Sequence, residues 1–472
     1  MSDEKRLHPA AILFNFIKVI KEALFAIILG FITFRDESFF YFILIASVLL
    51  ALFIIYSIVS WYRYTYRIED DELRIEYGIL VRKKRFISTN RIHSINLTSG
   101  VIHRIFKLTK VEIETAGTGT GSEASLAAVT LLEGEQLREE LKREKAVESL
   151  AEDVDEKKFP TRKITFKRLF VAGTTSGSIG IIAAIFAFVF SELEQFIPDH
   201  FYESTIEWIV GLSIILMIIL GGLLLIILWL VGIAGTMIKY GNFTITKNEN
   251  ELFITRGLLE KKQITIPLTR IQAVGMEESV IRQPLGYVTV FAEVAGGSME
   301  KGEEFSTVLF PILKKDEAEE FLQEFLPDYA NHSDTITPLP KRALKFYLFR
   351  AMLPVIIPLA GVWYFFPQFT WIPAIFLIGT FVLGYLCFKD AGYDLNDSRL
   401  TIRYRRVSKM TMFIYHKRVQ AFEKKQHKLH IKQRLASLKL SIIAGMGGKH
   451  FHIKELEERD ADLLSDWYSY RS

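Results

Sequence analysis

The chain has 472 residues, which as a length prior suggests about three units of roughly 150 residues, and its formal net charge is +4. Half of the residues are hydrophobic and 24% are charged, which is more apolar than a soluble core of this charge content needs. The charges cluster between apolar runs, so membrane and aqueous segments must alternate along the chain. The single cysteine, Cys387, lies inside an apolar run and excludes a disulfide framework or a thiolate metal site in the monomer.

Six apolar segments predict transmembrane helices arranged as three hairpins. Ser38–Tyr62 has no charged residue and exceeds the roughly 20 residues that a helix needs to cross a bilayer. Ala11–Phe34 is interrupted by Lys18, Lys21 and Glu22, so its first turns are expected in the interface. The other predicted spans are Leu169–Phe190, Ile206–Ile238, Phe349–Phe366 and Thr370–Phe388.

The distribution of lysine and arginine around these spans predicts the orientation. Basic residues flank one side of every hairpin, whereas the hairpin tips carry only Arg35 against several acids. Cytoplasmic loops are the ones enriched in Lys and Arg. We therefore expect a multi-pass protein of the cell (plasma) membrane with both termini and the three large loops in the cytoplasm.

An internal repeat follows each hairpin. Gly78-Ile79-Leu80 recurs as Gly257-Leu258-Leu259, and Arg91-Ile92-His93 recurs as Arg270-Ile271-Gln272, each 179 residues later. The third copy continues 148 residues further on with Arg418-Val419-Gln420. Within each copy, apolar and polar residues alternate as in half-buried antiparallel strands, and a stretch with helical periodicity ends the copy. Each copy is therefore predicted to be an α+β module.

This order of elements resembles the bacterial membrane-flanked pleckstrin-homology-like (PH-like) domain family over almost the whole chain. Copy two matches the family pattern best, with Arg270-Ile271-Gln272 followed by Gln283-Pro284, while copy one has His93 in place of the glutamine. Copy three has Arg405 in place of the glycine that precedes the basic hairpin and lacks the Gln-Pro pair. The resemblance implies a seven-stranded split barrel closed by a C-terminal helix and no catalytic residues. It also suggests, as a partner, a shorter membrane protein with a single PH-like domain.

The predicted architecture is a multi-pass α-helical membrane protein, with six transmembrane helices in three hairpins and three α+β PH-like split-barrel domains. The predicted hairpins cover residues 11–62, 168–238 and 346–388. The predicted PH-like domains cover residues 63–151, 239–328 and 389–470.

A basic hairpin after the second strand of each copy is the most informative candidate binding feature. Its residues are Arg82, Lys83, Lys84 and Arg85 in copy one, Lys261 and Lys262 in copy two, and Arg405, Arg406 and Lys409 in copy three. A basic residue near anionic lipid is worth about 1 kcal/mol, so such a cluster could hold a domain against the membrane. The alternative is a solvated hairpin that only supports the topology.

Two further patterns recur or cluster among the copies. The repeated arginines Arg91, Arg270 and Arg418, with Gln272 and Gln420 beside the last two, could bind an acidic ligand, but their repetition within the chain favours a structural role. The histidine pairs of copy three, His427 with His430 and His450 with His452, have no carboxylate or cysteine spaced to complete a metal site. We therefore expect neither a metal nor another cofactor.

These patterns predict a non-enzymatic integral membrane scaffold or regulatory protein. Its repeated cytoplasmic PH-like domains would bind a protein partner or membrane headgroups, and no nucleic acid is expected as a partner. A role in envelope maintenance or stress protection is compatible with this interpretation. The alternative is a transporter or channel component formed by the six helices, which would require polar positions inside the spans.

Overall fold

The computed structural model describes residues 4–33, 38–69, 71–115, 124–146, 159–176, 214–296, 306–330, 336–396, 398–444 and 448–469. These residues fall into two compact units, 1–159 with 251–267 and 160–250 with 268–472, and each unit is treated by itself. Most of the predicted span Leu169–Phe190 and the start of Ile206–Ile238 lie outside the described residues.

Among the described residues, the three copies share one order of elements: a leading strand, two helices, four strands, in two copies a short helix, two more strands and a closing helix. Copy one consists of β1 (Lys5–Arg6), α1 (Ala10–Thr33), α2 (Ser38–Tyr62), β2 (Thr65–Glu69), β3 (Glu72–Tyr77), β4 (Lys83–Ser88), β5 (Ile92–Ser99), α3 (Val101–Ile105), β6 (Leu108–Thr115), β7 (Ala124–Thr130) and α4 (Leu131–Ala146).

Copy two repeats this order with a turn in place of the short helix. Its described elements are β8 (Thr161–Lys163), α5 (Phe166–Thr174), α6 (Ile214–Tyr240), β9 (Thr244–Asn248), β10 (Glu251–Arg256), β11 (Lys261–Pro267), β12 (Ile271–Glu278), β13 (Tyr287–Val294), β14 (Ser306–Lys314) and α7 (Lys315–Phe325).

Copy three has the full order again. Its elements are β15 (Thr337–Pro338), α8 (Leu344–Phe365), α9 (Trp371–Asp390), β16 (Gly392–Asn396), β17 (Arg399–Arg405), β18 (Lys409–Tyr415), β19 (Val419–Lys425), α10 (Lys428–Lys432), β20 (Leu435–Ile442), β21 (Lys449–Glu457) and α11 (Glu458–Ser469).

Four described helical segments are long and apolar enough to cross a membrane. They are Phe40–Tyr62, Ile219–Tyr240, Lys341–Phe365 and Pro367–Asp390. Helix α1 is continuous but contains Lys18, Lys21 and Glu22, and it is not among the four. Helix α8 begins five residues before the predicted span, at Leu344, because the basic first turns are helical too. The full count of six spans stays a prediction.

A short strand before each hairpin was not predicted from the sequence. Strands β1, β8 and β15 pair antiparallel with β2, β9 and β16, the first strands after the respective hairpins. The strands on either side of each predicted hairpin are therefore adjacent in the sheet. With these leading strands each copy has seven strands, the number that the family resemblance implies.

Strands from successive copies are joined edge to edge within each unit. In the first unit, β1-β2-β3-β4 form one sheet, and β5 of copy one pairs with β11 of copy two. In the second unit, β12 of copy two pairs with β18 of copy three inside a sheet ordered β14-β13-β12-β18-β17-β16-β15. Strands β19, β20 and β21 form a separate sheet. We call the two inter-copy pairings, β5 with β11 and β12 with β18, the strand junctions.

Each unit has a buried apolar core formed by the inward faces of its strands and the closing helices. In the first unit, Leu137 and Leu141 of α4 pack against the strand residues Ile95, Val111 and Leu126. In the second unit, the core of copy three includes Ala273 and Phe291 from copy two, so this core continues across the β12–β18 junction. Hydrophobic burial thus stabilises the junction as well as the individual modules.

Candidate functional site

The basic hairpins predicted from the sequence lie at the start of the same strand in each copy, but their surroundings differ. In copy one, Arg82, Lys83, Lys84 and Arg85 are all exposed. Lys84 Nζ lies 2.9 Å from Glu76 Oε1, and Arg82 also pairs with Glu76. The hydrogen bond from Lys84 lowers the pKa of Glu76, so this carboxylate stays charged beside its two cations.

In copies two and three the corresponding residues take part in the strand junctions. Lys261 and Lys262 of β11 lie opposite Ser99 and Thr98 of β5. Lys409 Nζ lies 2.9 Å from Glu278 Oε1 across the other junction. The surroundings of the three hairpins therefore differ, because β11 and β18 pair with a strand of the preceding copy, and their binding of lipid or a partner stays a prediction.

Arg405 is buried and serves the same β12–β18 junction. Its Nε pairs with Asp390 Oδ2 at 2.5 Å, and its Nη2 donates to Gln283 Oε1 at 2.6 Å. Much of its hydrogen-bonding capacity is therefore used inside the protein, and binding of a lipid or partner by Arg405 stays a prediction. Its neighbour Arg406 is exposed and contributes to a cavity described below.

The repeated arginines Arg91, Arg270 and Arg418 each end a short 3-10 turn at the corner between two consecutive strands. Gln272 is buried and donates from Nε2 to the carbonyl of Arg270 at 3.1 Å, whereas Gln420 is exposed. The shared corner position is compatible with the structural role that the sequence favours, which stays a prediction.

One position in the segment after β5, β12 and β19 contacts the first helix described in its copy, which is α1, α5 or α8. It is occupied by His103, Arg282 and His430, which match under the repeat spacing. The His103 ring stacks on Phe14 of α1 at 3.8 Å between centroids, and the His430 ring meets Phe346 of α8 at 5.1 Å. We call these three residues the hairpin anchors.

The anchors also contact the last strand of their own copy. His103 Nε2 lies 3.0 Å from the carbonyl of Ala127. Arg282 donates to the carbonyl of Pro311 in β14 at 3.2 Å. It also donates to Oγ1 of Thr175, which directly follows helix α5, at 3.0 Å. Each anchor therefore holds its hairpin to its sheet, and no sequence motif pointed to this position because its residue type changes between copies.

Exposed apolar residues surround the anchors. They are Val101, Ile105 and Phe106 in copy one, Val280, Ile281 and Leu285 in copy two, and Leu429 and Ile431 in copy three. Exposed apolar side chains beside cations and next to a membrane helix are typical of segments that lie in the membrane interface. The composition of this side of each module is therefore suited to contact with lipid.

A cavity of about 340 Å³ lies in copy three where the membrane hairpin meets its domain. Six basic residues line it: Arg350, Arg405, Arg406, His450, His452 and Lys454. Its other titratable lining groups are the thiol of Cys387 and the phenols of Tyr347 and Tyr404. The apolar part of the wall comes from α8 and α9, including Leu383 and Gly384. We call this space the headgroup cavity.

A buried ion pair organises the wall of the headgroup cavity. Glu455 has φ of +56° and is 3% exposed, and it pairs with Arg350 of α8. It lies in a bulge where the pairing of β20 with β21 shifts, and the bulge turns its side chain toward the membrane hairpin. Burial raises the pKa of Glu455, while Arg350 acts in the opposite direction. The acid thus fixes the guanidinium at the cavity wall.

The remaining cations of the cavity repel one another. Burial and then the positive charge of Arg350 lower the pKa of Lys454. Burial and then Lys454 lower the pKa of His452. A bound anion would act on these pKa values in the opposite direction, because a nearby negative charge favours the protonated form of a basic group. The cavity is therefore chemically suited to a negatively charged ligand. The sequence placed His450 and His452 on one strand face, but it gave no sign that Arg350 would join them.

The cavity predicts a pH-dependent affinity for anions. Because burial and the neighbouring cations lower the pKa of His452, this ring gains its charge at a lower pH than an ordinary histidine does. One added cation near an anionic lipid is worth about 1 kcal/mol, so lowering the pH from 7.5 to 5 should tighten binding about fivefold. His452→Gln should make this change smaller in a titration with vesicles of anionic lipid, while His450 stays in the cavity wall. An equally steep pH dependence in the variant would contradict the role of His452.

The apolar helices, the hairpin anchors and the repeated seven-stranded modules define the class: a membrane protein that carries three PH-like domains. A family model described as bacterial PH domain matches residues 19–145, 184–328 and 351–472. The chain belongs to this family.

The chain is also similar to a curated protein along its full length. It is 36% identical over 493 aligned positions to the UPF0699 transmembrane protein YdbT of Bacillus subtilis (strain 168). The alignment covers 100% of this chain and 99% of the relative. This similarity agrees with the membrane location that the apolar helices indicate.

Proposed function

We propose that this chain is a non-enzymatic scaffold of the cell membrane whose third PH-like domain binds an anionic phospholipid headgroup in the headgroup cavity. The observation that carries the proposal is the cavity itself, in which basic side chains converge beside the domain-facing ends of helices α8 and α9. Basic pockets beside membrane helices are suited to anionic headgroups. Its volume also falls within the range of about 300–1,000 Å³ that is usual for small-molecule sites.

The strand junctions support the scaffold part of this proposal. They link successive modules through backbone pairing. A headgroup bound by copy three would therefore hold linked modules at the membrane and not a single domain. The orientation predicted from the sequence places all three modules, both termini and the cavity on the cytoplasmic side. Linked modules raise the effective concentration of each binding surface for a common partner.

Neutralising two cavity cations should reduce the binding of anionic lipid. The variant Arg406→Gln/Lys454→Gln removes two charges, each worth about 1 kcal/mol, and should lower the enrichment of phosphatidylglycerol over phosphatidylcholine about thirtyfold. The measurement is mass spectrometry of lipids that remain bound to the full chain released from mixed nanodiscs. Adding inorganic phosphate in excess separates a lipid site from a site for free phosphate.

The matched control is Lys417→Gln/Arg459→Gln, which removes the same charge from exposed positions of copy three that do not line the cavity. This control should keep the enrichment of the unaltered chain. Equal losses in both variants would show that overall charge, and not the headgroup cavity, attracts the lipid. Full displacement by phosphate would make the site one for the free anion.

A further inference from the structure

The two strand junctions use the same strands in the same register. Lys261 of β11 lies opposite Ser99 of β5, and Lys409 of β18 lies opposite Glu278 of β12. Under the repeat spacing, Lys261 matches Lys409 and Ser99 matches Glu278. In both junctions, therefore, the strand that begins at the basic hairpin pairs with the strand that follows the 3-10 turn in the preceding copy.

Strand β4 is the copy-one equivalent of β11 and β18, and it has no such partner among the described residues. It forms the outer edge of the sheet β1-β2-β3-β4. An edge strand presents unpaired backbone donors and acceptors and can accept an added strand from another chain.

The side chains of β4 show the same difference. Phe413, which lies in the β12–β18 junction, and Thr265, two residues beyond the paired part of β11, match Phe86 of β4 and are 0% and 3% exposed. Phe86 itself is 56% exposed. A phenylalanine at a position that is buried in both other copies indicates a surface made to be covered.

A second copy of this chain is a poor occupant of the β4 edge. Its available strand would be β19, which is the outer strand of its own sheet. In the junction register, Lys425 of β19 would lie opposite Lys83, and Lys424 would lie opposite Lys84. Like charges that lie directly opposite in an antiparallel pair are destabilising.

The filled junctions show which chemistry fits the edge. Glu278 at the end of β12 pairs with Lys409, and Glu277 precedes it. In the junction register, a strand with this sequence would place its two carboxylates opposite Arg82 and Lys83, and Val274 opposite Phe86. Opposite charges across a strand pair contribute about 0.2–1 kcal/mol each.

We propose that β4 binds the acidic edge strand of a different polypeptide as an added antiparallel strand, in the register of the strand junctions. This partner strand carries carboxylates opposite Arg82 and Lys83 and an apolar side chain opposite Phe86. The inference rests on the scaffold part of the proposed function and is independent of the headgroup cavity. It extends the array of linked modules to a second chain.

The test uses the full chain in phosphatidylcholine nanodiscs with the photoreactive residue p-benzoylphenylalanine at position 86. The probes are two end-blocked peptides: the chain's own sequence 271–278, and the same sequence with lysine in place of Glu277 and Glu278. We expect the acidic peptide to crosslink about tenfold more than the lysine peptide, from two cross-strand charge pairs. Arg82→Glu/Lys83→Glu should remove the preference, whereas Lys417→Glu/Arg459→Glu should retain it.

Equal crosslinking of the two peptides, or crosslinking of neither, would overturn the proposal. A covalent dimer joined between position 86 and residues 419–425 would also overturn it and would show that β4 binds a second copy. Because the nanodiscs contain no anionic lipid, a negative result here leaves headgroup binding untouched. Loss of phosphatidylglycerol enrichment would in turn leave the β4 edge untouched.

Discussion

Arg350→Met is expected to lower the free energy of unfolding by about 3 kcal/mol at neutral pH, because it removes the guanidinium that pairs with the buried Glu455 and leaves His430, 3.8 Å away, as the other side chain near this carboxylate. The loss should shrink as the pH falls. In the unfolded chain the glutamate titrates near its ordinary value of 4.5, whereas burial raises the pKa in the fold. Without Arg350 the pKa of Glu455 in the folded variant rises further, because Arg350 is one of the groups that lower it. Acidification then protonates Glu455 more readily in the folded state than in the unfolded state, which stabilises the folded variant.

Urea titrations of the purified chain in mild detergent at pH 7.5 and pH 5, followed by tryptophan fluorescence, measure this effect. Trp467 reports on the relevant module because its ring contacts His416 at 4.9 Å and packs on the copy-three core. The control is Arg342→Met, which removes an exposed pair in which Arg342 Nη2 lies 2.8 Å from Glu457 Oε1. This control should cost less than about 1 kcal/mol. A pH-independent loss in Arg350→Met would contradict the buried-acid account.

Gly275→Val is expected to destabilise the β12–β18 junction by about 2 kcal/mol through overpacking. A Cβ at this position would come within 2.3 Å of Phe291 Cζ and 2.5 Å of Met412 Sδ, and Met412 belongs to the next copy. Both neighbours must move before the strands can pair. Hydrogen exchange measured by mass spectrometry should therefore show faster exchange in β12 and β18 together.

The control for this variant is Gly100→Ala. Its Cβ would meet nothing closer than His103 Nδ1 at 3.7 Å, which is an ordinary contact. The stability and the exchange of β12 and β18 should stay unchanged in the control. Faster exchange confined to β12, with β18 unaffected, would contradict the claim that the two copies are joined cooperatively at this strand pair.

The modules themselves could be predicted from the sequence because their signals are local. The alternating strands and the Arg-hydrophobic corner recur in all three copies, the turn glycine recurs in the first two, and the glutamine after the corner recurs in the last two. The leading strands escaped detection because two or three residues, such as Lys5–Arg6 and Thr337–Pro338, are too short to show a period.

The strand junctions could not be predicted, because the partner of each edge lies in another copy. One trace of them was present: Ile271–Met276 is almost continuously apolar, as in a strand buried on both faces, whereas Val419–Lys425 is largely polar. The headgroup cavity also escaped prediction because Arg350 and Lys454 are far apart in the chain and meet only through the fold. The basic hairpins looked equivalent because residue type does not show which edges are covered.

Hydrogen exchange of the full chain in nanodiscs, with and without phosphatidylglycerol, tests the central claim most directly. The account predicts that the anionic lipid slows exchange in the copy-three segments around Arg406 and from His450 to Lys454, while the segment from Arg82 to Arg85 is unchanged. Protection of the copy-one segment alone, or no protection in copy three, would contradict a headgroup site in the third domain.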